Sequence, residues 1–453
     1  METNRGFNTR IGYILSMAGF CIGIGNMWKF PYMVGANGGG VFLLCYTAIV
    51  LLVGIPLFII EVQLGRSSGL SGISGMEKLE GKKNHWCLIG WIGFITVFLI
   101  GSYLITIIGG WNLGYIFKIA SGSLETLGAD EIAKTFYEFS GSGKCIMFTG
   151  ASTILVWLIM NTGAKDAVEK VCTYVMPLLL LMLVALAIYA NTLPGSREGL
   201  IWYLKPNFSA INLNVIQAAA MQSFYSIGVG MCCGFVYGSY IGEESNLIGD
   251  TIGVALLDTG VAILAGLVLT PALFAYDIDP TTGAPLIFIT LPHMFNAMGP
   301  VVGKVFGISF MFAVFIAGIT SWIGILEACE ANLIDKYKWS RKKTNAIVCF
   351  AMFISSILMT ASKGNGMLSN IRIGKWDIFD FADFIASSIG LTIGAMLLLA
   401  YVVIHWGFDK FRNEINKGAG KIRIYSWMKA YYCYVLPVIL LIICYGIIDS
   451  YIG

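Results

Sequence analysis

The chain has 453 residues, of which 57% are hydrophobic and only 12% are charged, and its mean hydropathy is +0.77. A soluble domain carries about 25% charged residues, so the composition excludes a soluble protein and predicts a polytopic membrane protein. The formal net charge of +3 gives no reason to expect a nucleic-acid partner, and the three scattered histidines do not indicate a metal enzyme.

Eleven apolar stretches are long enough to cross a bilayer, which predicts an all-α fold with eleven transmembrane helices. Their approximate bounds are 11–35, 40–68, 87–119, 147–163, 166–190, 213–240, 249–274, 303–336, 342–361, 377–408 and 427–449. Basic residues recur in alternate connections, most densely in "KYKWSRKK" at 336–343. This pattern predicts a multi-pass protein of the cell membrane with a cytoplasmic amino terminus and an extracytoplasmic carboxyl terminus. No cleaved signal peptide is expected, because the polar first residues lead directly into a span.

The first and sixth spans share an unusual motif, "FCIGIGN" at 20–26 and "YSIGVGM" at 225–231. A single Gly-x-Gly in a membrane helix is explained as well by close helix packing. Two such motifs five spans apart favour two discontinuous helices in inverted halves, which is the pattern of a transporter's central site. We therefore predict one domain over 1–453, with a first repeat at 11–190, a second repeat at 213–408 and an additional helix at 427–449.

Several polar residues lie within the predicted spans, close to these motifs. Asn26, Ser226 and Asp258 could add side-chain oxygens to the carbonyls that an unwound helix exposes, and together they would bind a hard cation. An ionisable residue such as Asp258 inside a span is usually functional, although an inert, hydrogen-bonded aspartate is the alternative. Glu61 follows "GIPLFII" and is expected to brace exposed backbone amides.

The eighth span contains a second polar group, in which Ala317, Thr320 and Ser321 share one region of a helix. The group is compatible with another cation site, but a Ser or Thr in a helix most often bonds back to the preceding turn. Further along the same span, Glu327 and Glu330 are expected to be solvated near its cytoplasmic end.

Several motifs together resemble the neurotransmitter:sodium symporters, which have the bacterial leucine-transporter fold. The motifs are "IGYILSMAGFCIGIGNMWKFPY", "NGGGVFLLCY", "GIPLFIIEVQLGR", "QSFYSIGVGM", "AGITS" and "DFIASSIG". The resemblance covers nearly the whole chain, and eleven spans are typical of the bacterial branch. It implies sodium-driven uptake of an amino acid or a related compound by alternating access.

The resemblance also implies two sodium sites. The first would use the Cys21 carbonyl with Asn26, Ser226 and Asp258. The second would use the carbonyls of Gly19, Ile22 and Ala317 with the hydroxyls of Thr320 and Ser321. Relatives commonly have Asn at the position of Asp258, and chloride-dependent relatives bind a chloride nearby. The Asp258 carboxylate could supply that negative charge, so we expect two Na⁺ ions and no chloride.

The gates and the substrate pocket are carried over from the family in the same way. The outer gate would be Lys29 with Asp383, under a Tyr225 lid, and the inner gate Arg5 with Asp335, helped by Tyr240. The pocket would be formed by Phe20, Gly23, Ile24, Gly25, Gly101, Ile105, Tyr225, Ser226, Gly228, Met231, Ser321 and Ile325.

Three positions of this pocket bear on the substrate. Ile105 stands where relatives have a tyrosine that contacts the substrate carboxylate. Gly23 stands where monoamine carriers have Asp, which implies a substrate with its own carboxylate. Gly101 would leave extra room for a hydrophobic side chain, as would Gly228. These features favour a small, hydrophobic, amino acid-like substrate.

Other functions remain open at this point. A sodium-coupled carrier of an amine, an osmolyte or another amino-acid derivative would use the same scaffold, as would a transceptor-like binding protein. An ion channel is disfavoured by the paired gates. An enzyme is disfavoured because no nucleophile–base pair or histidine metal set is present in the sequence. The expected partners are a small-molecule substrate and the lipid bilayer.

Overall fold

The computed structural model describes residues 9–162, 164–279 and 287–452. This part of the chain folds into helices, and its only β-pairing is an isolated bridge between Ile373 and Trp376. The first nine helices are α1 (Arg10–Cys21), α2 (Gly25–Ala36), α3 (Gly40–Ser68), α4 (Gly72–Glu80), α5 (His85–Ala120), α6 (Ala129–Ser140), α7 (Gly143–Asn161), α8 (Ala164–Thr192) and α9 (Ser196–Leu204). The others are α10 (Leu213–Ile227), α11 (Cys233–Gly238), α12 (Leu247–Ala275), α13 (Thr290–Ala297), α14 (Val302–Tyr337), α15 (Arg341–Ala361), α16 (Ile378–Trp406), α17 (Phe408–Ile415) and α18 (426–452). The predicted all-α class is confirmed.

Nine of these helices are long and apolar enough to cross a membrane within the described residues. The bent pair α1 and α2 forms a tenth candidate, with an angle of 50° between its halves. The sixth predicted span is divided into α10, with 15 residues, and α11, with 6 residues, so neither piece reaches that length by itself. The fold is that of a multi-pass membrane protein, and the count of eleven stays a prediction.

Some of the helices begin where a polar side chain satisfies a free backbone amide. Thr9 caps α1 by accepting a hydrogen bond from the Gly12 amide at 2.9 Å. Asn212 caps α10 in the same way, from the Val215 amide at 3.0 Å. These caps matter because a bilayer supplies no water to unsatisfied amides near a helix end.

The broken helices lie at the centre of the bundle. α1 packs against α8, α12 and α14, while α10 and α11 both pack against α3. Glycines permit close backbone contact there: a Cβ on Gly65 would stand 1.9 Å from the Phe235 carbonyl oxygen, and one on Gly238 would stand 2.0 Å from that of Val62. Small residues thus bring α3 and α11 together, as is common in membrane proteins.

Both Gly-x-Gly motifs coincide with interruptions of a helix. α1 ends at Cys21, and Ile22 is extended, with φ −75° and ψ 97°. Between α10 and α11 the backbone takes positive φ at Gly228 (77°), Gly230 (90°) and Cys232 (59°). Glycine adopts such angles without steric penalty, which explains its use there. The two discontinuous helices predicted from the sequence are therefore present.

Candidate functional site

The two helix breaks lie beside each other. The Cys21 thiol is 3.4 Å from the Ile227 carbonyl oxygen, and Gln222 donates its side-chain amide to the Gly25 carbonyl oxygen at 3.2 Å. The second break is supported from α3, where Glu61, fully buried, accepts the Gly230 amide at 2.7 Å. Backbone groups of the two breaks thus lie close together at the middle of the molecule and bond to side chains, and such interrupted backbone within a membrane protein can also line a ligand site.

Asn26, Ser226 and Asp258 form one buried cluster at these breaks. Asn26 Nδ2 donates to Asp258 Oδ1 at 2.7 Å and lies 3.3 Å from Ser226 Oγ. Ser226 donates to Asp258 Oδ2 at 2.7 Å. The exposed fractions of the three residues are 0%, 2% and 0%.

The chemistry of this cluster suits a small hard cation. A buried carboxylate needs a compensating charge, and in the described residues Asp258 has no ion pair with a basic side chain. The Asn26 side-chain oxygen accepts the Gly23 amide at 3.0 Å, so the Asn26 side chain would have to reorient for that oxygen to join the carboxylate around a cation. A carboxylate, an amide oxygen, a hydroxyl and free carbonyls are the ligands that hard cations prefer.

A second oxygen-rich group joins α1 to α14. Ser321 donates its hydroxyl to the Phe20 carbonyl oxygen at 2.8 Å. Thr320 donates to the carbonyl oxygens of Ala317 at 2.9 Å and Ile316 at 3.2 Å, which is the back-bonding expected of a helical threonine. Of the other two carbonyl positions, Gly19 lies in the last turn of α1, against Cys172 of α8, and Ile22 lies in the break itself.

A small cavity of about 20 Å³ adjoins both groups. It is lined by Phe20, Cys21, Gly23, Ile24, Gly25, Ile100, Leu104, Tyr225, Ser226, Met231, Ser321 and Ile325. Nine of the twelve residues expected to line a pocket are therefore brought together.

The other three, Gly101, Ile105 and Gly228, are not among the lining residues, and α5 contributes Ile100 and Leu104 instead. Ile105 is placed at the pocket by aligning this span with the family without gaps, whereas in the structure the neighbouring Leu104 lines the cavity. Residues 106–112, directly after Ile105, form a π-helical turn. Ile105 instead approaches Gly109.

The two glycines that were expected to leave extra room do not leave any. A Cβ on Gly101 would meet both Ile325 and Met352 at 2.8 Å. One on Gly228 would stand 2.4 Å from the Phe20 ring, which already occupies that space. The expected enlargement of the pocket is therefore wrong, because neighbouring side chains fill both positions.

Comparisons with known proteins agree with this geometry. A sequence model of the sodium:neurotransmitter symporter family matches residues 4–127 and 132–452. The chain belongs to this family. Its members are symporters rather than enzymes, and they couple transport to sodium.

Individual relatives of this symporter span nearly its full length. It is 30% identical over 450 residues to an uncharacterized sodium-dependent transporter of Haemophilus influenzae, covering 96% of each chain. It is 34% identical to one of Methanocaldococcus jannaschii, covering 96% of this chain and 88% of the relative. The crystal structure of MhsT in complex with L-phenylalanine matches with a TM-score of 0.87 and 32% identity, over 98% and 99% of the two chains.

A vestibule of about 310 Å³ lies next to the small cavity of the symporter, and Tyr225 lines both. Lys29 and Asp383 line the vestibule as well, but among the described residues they form no ion pair. The Lys29 ammonium lies over the Tyr225 ring, 4.2 Å from its centroid, and Asp383 accepts the Ser387 hydroxyl at 2.6 Å. Tyr225 thus separates the cavity from the vestibule.

The inner side of the symporter, defined as the end that carries the basic segment 336–343, is closed by polar contacts. Asp335 accepts the Ser71 amide at 2.8 Å, and Tyr240 donates to Glu327 Oε1 at 2.6 Å. The expected partner Arg5 lies outside the described residues. Arg10, whose sequence context indicates only orientation through its positive charge, pairs with buried Asp250 at 2.6 Å.

The acidic residues of α14 differ from expectation. Glu327 is 6% exposed and Glu330 is 0% exposed, so neither is solvated. Arg341 of α15 forms an ion pair with Glu327. In the sequence, Arg341 was only one member of a basic segment that marks orientation; its contact with α14 depends on helix packing and left no local signal.

Proposed function

We propose that this symporter uses two Na⁺ ions to accumulate a hydrophobic amino acid by alternating access, without chloride. The observation that carries the proposal is the lining of the small cavity. It combines the interrupted backbone at Gly23–Gly25 with apolar side chains and contains no Asp or Glu in the described residues.

The backbone part of this lining suits a carboxylate. Ile24 and Gly25 begin the second half of a broken helix, and the amino-terminal end of a helix attracts negative charge. A cation held by Asn26 would add to that attraction. A protonated amine without a carboxylate would need an acidic partner, and the lining offers none.

The side-chain part of the lining suits an apolar group. Ile100, Leu104, Met231 and Ile325 face the cavity together with Phe20. A ligand gains about 25 cal/mol for each Å² of apolar surface buried there. MhsT, which shares the fold at 32% identity, has been solved in complex with L-phenylalanine, and this supports a hydrophobic amino acid as the substrate class.

Each of the two oxygen-rich groups would bind one sodium ion. The first would be held by Asn26, Ser226 and Asp258 with the Cys21 carbonyl. The second would be held by Thr320 and Ser321 with the carbonyls of Gly19, Ile22 and Ala317. Chloride is not needed, because Asp258 brings a negative charge into the first group.

The proposed alternating access depends on two repeated halves of the chain. We propose that 11–190 and 213–408 are inverted repeats and that 427–449 is an added helix. The breaks at matching positions of α1 and α10 support this proposal. The amino terminus would be cytoplasmic and the carboxyl terminus extracytoplasmic, as the basic segment 336–343 indicates.

The test is uptake into proteoliposomes that contain the purified protein. With sodium outside and potassium inside, labelled phenylalanine, leucine and tryptophan should accumulate, whereas γ-aminobutyrate and betaine should not. Replacing external sodium by choline, or collapsing the gradient with monensin, should abolish accumulation. Replacing chloride by gluconate should change nothing. Accumulation that persists in choline would refute sodium coupling, and sodium-dependent binding without accumulation would favour a transceptor.

A further inference from the structure

Glu330 of α14 is a buried carboxyl group that the proposed sodium and substrate sites do not use. It is 0% exposed, and among the described residues neither of its oxygens has a hydrogen-bond partner. Its nearest basic group is Arg341 Nε, 3.8 Å from Oε2, which is an ion-pair separation but too long for a hydrogen bond. A carboxylate in such surroundings is strongly destabilised unless it is neutralised.

The local charge count indicates how Glu330 is neutralised. Glu327 and Glu330 share a single cation, Arg341. Glu327 has the better partners, since it forms the close ion pair with Arg341 and accepts the Tyr240 hydroxyl at 2.6 Å. Two carboxylates beside one guanidinium would bury a net negative charge. One bound proton neutralises this negative charge. Glu330 carries the proton, because among the described residues it has no hydrogen-bond partner that would stabilise its ionised form.

The other titratable groups nearby do not supply a second cation. Cys329 on α14 and Cys349 on α15 interact electrostatically with Glu330 and would carry no charge when protonated. The segment after α11 contributes Tyr240, which is bonded to Glu327, and α8 contributes Cys172 near Tyr237. Asp335, further along α14, interacts electrostatically with Tyr240 and adds negative charge to this region. Among the described residues, Arg341 is therefore the cation that Glu327 and Glu330 share.

The contacts of Glu327 connect this region to the inner gate. Tyr240 follows the second broken helix, whereas Glu327 and Arg341 belong to α14 and α15, so their contacts join two parts of the molecule. The Arg341 side chain is 38% exposed, so the cluster lies at the edge of the inner side. Separation of Tyr240 from Glu327 would admit water to both carboxyl groups and free Arg341 to approach Glu330.

We propose that Glu330 binds a proton when the inner side is closed and releases it when that side opens. The opening itself rests on the proposed function, because alternating access requires it. The protonated form fits the dry, closed state, and the ionised form fits the hydrated, open state. Acidification of the cytoplasm therefore stabilises the closed state, by at most about tenfold per pH unit for one proton.

An infrared measurement tests the proton without any transport assay. We would record difference spectra of the purified protein in lipid between acidic and alkaline buffer. The wild type should show a protonated carboxyl band that shifts in D₂O, and Glu330→Gln should lack this band. Glu327→Gln is the charge control: Glu330 then has Arg341 to itself, so its band should remain assignable to Glu330 but should require a more acidic buffer than in the wild type. An unchanged spectrum in Glu330→Gln would overturn the proposal.

Uptake at different internal pH values tests whether proton release by Glu330 is coupled to opening of the inner side. Sodium-driven uptake by the wild type should rise several-fold as the proteoliposome interior is changed from about pH 6 to about pH 8, with the external pH fixed. Glu330→Gln, a permanent mimic of the protonated form, should be slow at both values and should bind substrate normally from outside. Equal pH dependence in the wild type and the variant would exclude Glu330 as the coupled group. Absence of sodium-driven uptake by the wild type would instead refute the proposed function, and the infrared result would still decide the proton site.

Thermal unfolding distinguishes a protonated Glu330 from a Glu330 that is ionised and paired with Arg341. Glu330→Ile replaces a neutral carboxylic acid by an apolar group of similar size, so the melting temperature should be unchanged or higher. If Glu330 were an ionised partner of Arg341, both Glu330→Ile and Glu330→Gln would leave that cation less compensated and lower the melting temperature. That result would contradict the proposal.

Discussion

Ser321 and Gly23 lie so close that only a hydrogen fits on Gly23: a Cβ there would stand 2.7 Å from both Cβ and Oγ of Ser321. The contact joins the first helix break to α14 at the second oxygen-rich group. The same Ser321 hydroxyl donates to the Phe20 carbonyl oxygen at 2.8 Å. The glycine motif thus has two roles, since it opens the helix and lets a ligating hydroxyl approach the opened backbone.

Gly23→Ala should therefore displace Ser321 and impair the second sodium site. We expect the apparent affinity for sodium to fall at least tenfold, with an overpacking penalty of roughly 1–3 kcal/mol in the free energy of unfolding. Sodium-dependent thermal stabilisation would measure both effects. The matched control is Gly253→Ala on α12, where an added Cβ meets nothing within 4 Å and should be neutral or slightly stabilising. Equal sodium affinity and equal stability of the two variants would contradict the close contact between Gly23 and Ser321.

The double substitution Thr320→Ala and Ser321→Ala should abolish sodium-dependent substrate binding, because it removes both hydroxyl ligands proposed for the second ion. Scintillation proximity binding across a sodium titration would measure the loss. Thr153→Ala on α7 is a suitable control, since that threonine is also buried and bonds back to the Thr149 carbonyl oxygen at 2.8 Å. Unchanged sodium dependence in the double variant would refute the second site.

Asp258→Asn should weaken sodium binding at the first site at least tenfold, because a neutral amide replaces a buried carboxylate in contact with the cation. The neutral side chain would also remove the charge that makes chloride unnecessary. We therefore expect uptake by the variant, unlike that by the wild type, to increase when gluconate is replaced by chloride. Chloride dependence in the wild type itself would show that Asp258 does not have this role.

Lys29→Arg should strengthen the outer gate. Arg presents two parallel N–H groups to a carboxylate, whereas Lys is a point charge, and in this structure it lies over Tyr225 instead. We expect bound substrate to dissociate roughly threefold to tenfold more slowly in the variant, as measured by chase with unlabelled substrate. Bound substrate should dissociate faster from Lys29→Gln than from the wild type, because a glutamine cannot form an ion pair with Asp383. The opposite order would exclude this gate.

Local chemistry explains why the sequence alone determined so much. Paired Gly-x-Gly motifs signal interrupted helices: Gly228 and Gly230 take positive φ angles that other residues rarely adopt, and Gly23 permits the close approach of Ser321. Apolar runs of sufficient length predict spans. The membrane class, the helix breaks and the grouping of Asn26, Ser226 and Asp258 followed from these features. The structure contains that grouping, with 2.7 Å hydrogen bonds from Asn26 and Ser226 to the carboxylate.

Tertiary structure alone decided which faces the helices present to one another. Leu104, and not Ile105, lines the cavity, and it lies just before a π-helical turn in α5 that no regular helical period predicts. Phe20 and Met352 fill the space beside Gly228 and Gly101 from distant parts of the chain. Glu330 is read from the sequence as a solvated acid near a helix end, but the packing of α14 against α15 buries it next to Arg341. The physical reason is common to all three: backbone preference is a property of neighbouring residues, whereas burial and side-chain contact depend on helices that are remote in the sequence.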